Sequence, residues 1–585
     1  MKKILLLPTI ALTLGICSGC NLFKYFDKKV NVYREKDVVD KQISLRYFFN
    51  QIHVPYIEVN EYYKEFFNKN LKINKNDEGY KYSLSDNEFL YFNVKDNSIS
   101  ISELTSFALY PSGVSESANL FLKVDSVEST ESKVKTIDLN KYNIHFYDYD
   151  EKIYAPLSFL STLCGGVSLY DIAYNGKDVY VLDYGGDITG EEKTTNYYGD
   201  KYSKKIESLS LRNKDMAEYS YNELCFVFDN LRGETTQLLF GDQKLKQLGL
   251  DGLLSTYYPE IKDLLLSLGK RKYFAGLLSL FFGLDDGGHT ALTTYYPMML
   301  LSIFTKINGI EPLSTLLNQI NARDDETSKV YQSCDYSRSM MLGTPGDNYY
   351  YLDQESEVAY IGFDSFDVDY TGWDNYYKGV GNVPIDTDTF AFVRDKLYKA
   401  KNIGVKNVVL DISTNGGGNT NALNGLIGLF NCAKSDCASK DTFNEYDFIE
   451  HYSVDINLDG KFDELDTLEC EKFDFNIAVL TSKYSFSCAN LFPSMMKELG
   501  YMTVGQRSGG GSCAISVDTT AEGIAYVRSS HLTAYNFKGE NVDIGVPVDY
   551  EIETPDNVFI ELYDATDFYN TSLMKEVLTN FYSTR

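Results

Sequence analysis

The stretch "NIAVLTSKYSFSCANLFPSMMKELG", Asn476 to Gly500, decides how this chain folds. Ile477 to Thr481 is a run of apolar and β-branched residues, the pattern of a short buried strand. From Ala489 onward Leu491, Phe492, Met495, Met496 and Leu499 recur at helical spacing, and Gly500 is placed to end the helix. Between them lies the polar turn "SKYSFSC". A hydroxyl at a strand-to-helix turn is exposed on a tightly bent chain and faces the positive end of a helix, which is the logic of a nucleophile elbow. The pattern is not G-x-S-x-G, which argues against a common α/β hydrolase. The plain alternative is a Ser that only caps the helix.

Working outward, strands and helices alternate. "YYYLDQESEVAYIGFDSF" is strand-like, "DTFAFVRDKLYKAKNIG" helical, "VKNVVLDIS" a buried strand and "NALNGLIGLF" helical again. The alternation predicts an α/β domain over 346–585 with a largely parallel sheet, whose strand C-terminal ends are where sites are built. Upstream, 196–345 reads as a helical subdomain, from "YNELCFVFDNLRG" to "YYPMMLLSIFTKINGIEPLSTLLNQI". Residues 43–195 read as a β-rich domain, with alternating segments such as "NEFLYFNVKDNSISIS" punctuated by Asn, Asp and Gly. Residues 21–42 are polar and lysine-rich and are expected to form a tether. Residues 1–20, "MKKILLLPTIALTLGICSGC", have the two lysines, apolar run and small residues of a secretory signal, with Cys20 placed for lipidation. A membrane contact through that lipid alone is expected, in an extracytoplasmic, membrane-anchored or secreted protein.

Composition excludes some function classes. The chain of 585 residues has 83 acidic against 55 basic residues, a formal charge of −28, and so the wrong sign for binding nucleic acid. Of ten cysteines, the eight that follow Cys17 and Cys20 of the leader form no CxxC pair, which argues against a zinc cluster. Cys432 with Cys437, and Cys488 with Cys513, are candidate disulfides, with free buried thiols the alternative.

Two further motifs carry chemistry. "VVLDISTNGGGNTNAL" ends a buried strand at Asp411 and places Asn415-Gly416-Gly417-Gly418 before a helix. Glycines there let backbone N–H groups approach a developing oxyanion, and losing one such donor costs about 3 kcal/mol. No Lys-Ser/Thr follows, so a phosphate loop is disfavoured. "FFGLDDGGHTALTT" places His289, one of five histidines, in a polar, glycine-flexible loop.

These motifs, in this order, resemble the tail-specific (C-terminal-processing) serine peptidases and their tricorn-core relatives, over about residues 200 to 560. "YSFSCAN" matches the stretch carrying the nucleophile, Ser487; "LDISTNGGG" matches the oxyanion strand; Gly287-Gly288-His289-Thr290 matches the D-G-H-T segment; "DIGVPVDYEI" echoes a distal G-V-x-P-D. The resemblance implies a crotonase-like (ClpP/crotonase-type) core, peptide-bond hydrolysis and no cofactor in the chemistry. Where the family's Ser–Lys branch has its lysine, "VGQRSGGGSC" offers Gly511 or Ser512, so the resemblance points to the Ser–His branch with His289 as base. Asp543 is the first candidate for the acid behind it and Glu540 the second, with Asp285 or Asp286 able to substitute. The oxyanion donors would be the N–H of Gly417 or Gly416 and of Cys488, and Gly509, Gly510 and Gly511 would border the substrate cleft. The interval after Thr290 is too short and too helical for a PDZ module. An esterase, or a peptidase fold decayed to a peptide- or protein-binding module, remains open.

Finally, "DINLDGKFDELD" spaces Asp455, Asn457, Asp459, Lys461, Asp463 and Asp466 as positions 1, 3, 5, 7, 9 and 12 of a calcium loop, with Gly460 at the sharp turn. A single loop suggests a structural calcium that clips an insertion of the catalytic domain.

Overall fold

The computed structural model describes residues 24–35, 38–109, 120–165, 170–183, 211–293, 313–344 and 348–583. The leader, Cys20 and the segment around 184–210, where the first domain boundary was expected, lie outside them.

The α/β core is present. Val358–Phe363, Asn407–Asp411, Asn476–Thr481, Met502–Gly505 and Tyr550–Glu551 pair in parallel in that order, with Asn348–Asp353 antiparallel at one edge. The continuous apolar runs have a physical cause: both faces of the sheet are covered. Val408, Leu410, Ile477 and Val479 pack with the helices Thr389–Ile403, Thr420–Phe430 and Cys488–Glu498. Val409, Ala478 and Leu480 point the other way, toward the helices Leu313–Leu342 and Thr571–Ser583. Each such side chain taken fully out of water contributes about 1.5–3 kcal/mol. Asp411 pairs with Leu480, so the loops that leave these two neighbouring strands emerge side by side.

A second, antiparallel sheet stands beside the core. Its order is Ala291–Leu292, Ala525–Ala534, Lys434–Asp441, Tyr446–Val454 and Leu122–Ser129, with Cys513–Thr519 on Ala525–Ala534. It fastens the chain just after His289 to Ala525–Ala534, the hairpin partner of the strand Cys513–Thr519 that follows the 509–511 glycines. It also takes a strand from the β-rich region, so that region is not closed on itself.

The N-terminal part holds a seven-stranded sheet and a five-stranded antiparallel one. Here the tether expected over 21–42 is corrected. Tyr25–Glu35 and Val38–Phe48 are paired strands inside the seven-stranded sheet. Lys28 and Lys29 are exposed while Val30 and Val32 are buried, so the lysines that suggested a linker are the outer side of an amphipathic strand. The helices Lys214–Asn230, Asp242–Tyr257, Pro259–Leu265 and Lys270–Gly283 share one apolar cluster with this sheet. No helix among the described residues is long and apolar enough to cross a membrane. Cys432, Cys437, Cys488 and Cys513 are all free thiols, so neither candidate disulfide forms.

Candidate active site

Three serines share the turn after Asn476–Thr481, and the structure separates them. Ser482 and Ser485 are buried, and their hydroxyls donate to the main-chain oxygens of Ser413 (2.5 Å) and Ile412 (2.8 Å) on the neighbouring loop. Ser487 is half-buried and stands immediately before the helix Cys488–Glu498, yet its side chain does not cap that helix. Its backbone sits at φ +56°, ψ −121°. A non-glycine residue held there costs about 1–3 kcal/mol and marks a conformation imposed by its surroundings. The restraint is visible: Ser487 N–H donates to Gly510 O (2.9 Å) and Phe486 N–H to Asn415 O (3.3 Å).

The glycine loop closes on this serine. A Cβ on Gly417 would lie 2.7 Å from Ser487 Cβ and 3.2 Å from Cys488 N, and Gly417 is at φ +115°, so only glycine fits. One expected donor is corrected. Gly417 N–H donates to Asn415 Oδ1 (2.8 Å), because Asn415 turns the loop and is anchored in turn on Phe363 O (2.9 Å). Of the three expected donors, the N–H of Gly416, which is exposed, and of Cys488, which opens the helix, have no such partner among the described residues. The Cys488 thiol is pushed up to about 12 by burial and takes no part as a nucleophile.

His289 comes to the same place from the helical part. It is 4% exposed, its Nε2 is buried without a partner, and its ring meets that of Phe486 edge-on at a centroid distance of 4.8 Å. Phe486 immediately precedes Ser487 in the chain. Burial lowers the imidazole pKa, and the charges of Asp286 and Asp543 oppose that shift. The ring is therefore favoured in its neutral, proton-accepting form near pH 7.

The glycines around it hold Phe486 rather than an open cleft. A Cβ on Gly287, Gly288 or Gly511 would come within 3.3, 3.1 and 2.5 Å of the Phe486 ring. On Gly509 it would meet Lys483 O at 2.4 Å, and on Gly510 it would meet Asp543 O at 2.0 Å. Gly510 and Gly511 are buried, so the substrate-cleft role expected of Gly509, Gly510 and Gly511 is corrected to close packing behind the nucleophile.

The acids divide differently from expectation. Asp543 is buried, and both its oxygens are committed. Oδ2 accepts from Thr236 N–H (2.7 Å) and Oγ (2.6 Å); Oδ1 accepts from Ser512 N–H (3.2 Å) and Oγ (3.4 Å). Its influence on His289 is through charge and not through a hydrogen bond. Glu540 is exposed and bonded to Asn536, away from the ring. Asp285 is paired with Arg323. Asp286 holds the loop that carries His289.

The 455–466 loop follows the course its spacing predicts, with Gly460 at φ +79°. Asp455 and Asp466 are 0% and 1% exposed. Asp455 accepts from Gly460 N–H (2.7 Å) and Tyr377 Oη (2.9 Å), and Asp466 from Asn457 N–H (3.1 Å) and Asp463 N–H (3.0 Å). Asp463 and Asp466 form a capping box on the helix Glu464–Cys470. Asp459 is turned outward onto Lys461. Among the described residues no three Asp, Glu, His or Cys side chains converge as a metal-holding group. The side chains that the loop's spacing would offer are oxygen donors, the type a calcium ion takes, and Asp455 and Asp466 are the buried ones.

The strand–loop–strand–turn–helix unit that builds the serine and the glycine loop lies within one recognisable segment. Residues 357–552 match Peptidase family S41. Members of this family are serine peptidases. No curated protein matches the chain. Among solved structures it is similar to the photosystem II D1 C-terminal processing protease, at 16% identity over 36% of this chain and 49% of that one, with a TM-score of 0.26. Mature CPAF shows 15% identity over 40% and 54% of the two chains, TM-score 0.27. A lipoprotein from Streptococcus agalactiae shows 12% identity over 58% and 92%, TM-score 0.30. The chain thus spans about half the length of the first two.

His289 and Thr236 lie outside the S41 segment and reach it only through the fold. Sequence reasoning missed Thr236, which touches Asp543 across 307 positions, and Gln237, whose Nε2 donates to Asp543 O (2.8 Å) and Gly509 O (3.2 Å). Nothing in "GETTQ" signals either contact. It also missed Phe486, whose significance appears only once the 287–289 loop and Gly511 meet around its ring. Asp286 did carry a signal, since an Asp before a Gly-Gly bend can accept the N–H groups that follow it, here those of His289 and Thr290.

Proposed function

We propose that the protein is an extracytoplasmic serine endopeptidase that cleaves peptide bonds with Ser487 as nucleophile and His289 as general base. The observation that carries this is the strained Ser487, its hydroxyl free at a helix N-terminus, one residue from a buried imidazole whose Nε2 has no partner. Ser487 Oγ attacks the carbonyl carbon and passes its proton to His289, and the N–H groups of Cys488 and Gly416 stabilise the negative oxygen. His289 then protonates the leaving amine, and water hydrolyses the acyl-enzyme by the reverse sequence. Asp543 supports the imidazolium by charge. The chemistry needs no cofactor, and peptides or unfolded proteins are the expected substrates. The test is hydrolysis of casein and its loss after reaction with a fluorophosphonate; intact casein and an unreacted enzyme would sink the reading.

A second reading has one observation in its favour: Ser487 and His289 make no hydrogen bond to each other. It is a catalytically inactive, peptide-binding module of the same fold. Casein bound without cleavage would support it.

The 455–466 loop is proposed as a structural calcium site. Removing the ion would leave Asp455 and Asp466 facing each other buried and unneutralised. Chelation is therefore expected to lower the melting temperature, by about 2–3 kcal/mol of lost stabilisation if calcium stands near one hundred times its Kd. Asp455→Ala should abolish the response; a melting temperature indifferent to chelator would count against the site. Anchoring through a lipid on Cys20 is proposed from the sequence of the leader, and incorporation of a fatty-acid analogue that persists in Cys20→Ala would contradict it.

A further inference from the structure

The expected acid of the site, Asp543, does not reach the imidazole, and another carboxylate is built around it. Asp286 is 2% exposed and accepts four hydrogen bonds. Oδ1 takes the N–H of His289 (3.0 Å) and of Thr290 (2.9 Å); Oδ2 takes Thr290 Oγ (2.7 Å) and Ser529 Oγ (2.8 Å). Ser529 belongs to the strand Ala525–Ala534, and its own N–H donates to Thr290 Oγ (3.2 Å). Asp286 therefore ties the His289 loop to the second sheet at the point where Ala291 and Leu292 pair with Val527 and Tyr526. Gly287 at φ +95° and Gly288 at φ +148° let the chain fold back over this carboxylate, so that the ring is presented to Phe486 and not to solvent.

We propose that Asp286, rather than Asp543, is the positioning carboxylate of the base: it fixes the His289 main chain against the second sheet and sets its charge beside the ring. Asp543 has the complementary task. Through Ser512 and Thr236 it clamps the glycine loop that receives the Ser487 N–H, so one acid holds the base and the other holds the nucleophile's backbone. This rests on the peptidase reading above.

The groups that act on the ring by charge are Asp286, from its own loop, and Asp543, from the segment before Gly545. Arg323, from the helix Leu313–Leu342, is paired with Asp285 on the same loop. The Cys513 thiol, on the strand behind, is pushed up to about 12 by burial and stays neutral. A carboxylate near an imidazole favours its charged form, so removing that charge moves the titration to lower pH, by about one unit for a close contact.

The experiment is the rate of Ser487 phosphonylation by a fluorophosphonate as a function of pH, in wild type, Asp286→Asn, Asp286→Glu, Asp543→Asn, Ser529→Ala and Ser487→Ala. Asp286→Asn should lower the plateau rate at least about tenfold, as for a misaligned general base, and move the acid limb down by about one unit. Asp286→Glu should restore the limb while leaving the rate low. Ser529→Ala, which removes one of the four hydrogen bonds and no charge, should lower the rate without moving the limb, and it reads the proposal should Asp286→Asn not fold. A limb that moves in Asp543→Asn but not in Asp286→Asn, or a Ser529→Ala rate equal to wild type, would overturn it. Labelling that persists in Ser487→Ala would instead overturn the peptidase reading and leave the Asp286 geometry as a structural tie.

Discussion

Ser487→Ala is expected to lower casein hydrolysis by roughly 10⁴- to 10⁶-fold, the range seen when the nucleophile of a serine peptidase is removed. The same replacement at Ser485 is expected to act differently, because that hydroxyl holds the turn, donating to Ile412 O and accepting from the buried Ser482 N–H, which its loss leaves without that acceptor. Ser487→Gly separates chemistry from stability. It should be as inactive as the alanine variant, yet more stable than wild type by up to about 1–3 kcal/mol, because glycine adopts φ +56° without strain. A glycine variant that is both inactive and destabilised would mean that the backbone at 487 is not strained. Activity retained in the alanine variant would mean that another hydroxyl does the work.

The second large effect concerns stability and pH. Glu223, on the helix Lys214–Asn230, is buried and pushed up to about 7 by loss of solvation; Asp171, from the seven-stranded sheet, is pushed up to about 7 for the same reason. Asp518 and Arg528, paired at 2.7 Å on the second sheet, complete this junction of three parts of the fold. A carboxyl whose folded pKa lies above its unfolded value favours folding while protonated. That contribution is complete below about pH 4.5 and is lost as pH rises through about 7. Glu223→Gln fixes the neutral form and keeps an oxygen for Ser158 and Tyr219. It should therefore stabilise the protein at pH 8, by on the order of 3 kcal/mol, and do little at pH 4.5. Thermal unfolding of both proteins at the two pH values checks this. A variant less stable than wild type at pH 8 would show that the ionised carboxylate is the favoured partner of the junction.

The parts of the site that lie close in sequence were legible in it. The apolar run before "SKYSFSC" and the helical spacing after it have one physical solution, a doubly covered strand feeding a helix, and the structure has that solution. "STNGGG" was legible as a tight turn, but which N–H faces outward was not, since that depends on Asn415 turning its side chain back onto Gly417. The 21–42 segment was misread because an exposed strand face rich in lysine has the composition of a linker; its pairing with the adjacent Val38–Phe48, and with Val179 and Tyr180 across almost 150 positions, reveals the strand. Both acids near His289 were named from the sequence, but the choice between them was illegible for a similar reason. Both Asp286 and Asp543 are near the ring, and their different hydrogen-bond partners come from Ser529 and Thr236, which no local pattern links to either.

The most direct measurement is the position of a fluorophosphonate adduct, mapped by mass spectrometry on the digested protein. A single adduct on Ser487, formed at least about a hundredfold more slowly in His289→Ala, is the predicted result. An adduct on another residue, or a rate unchanged by loss of the imidazole, would contradict the claim that these two side chains form one catalytic unit.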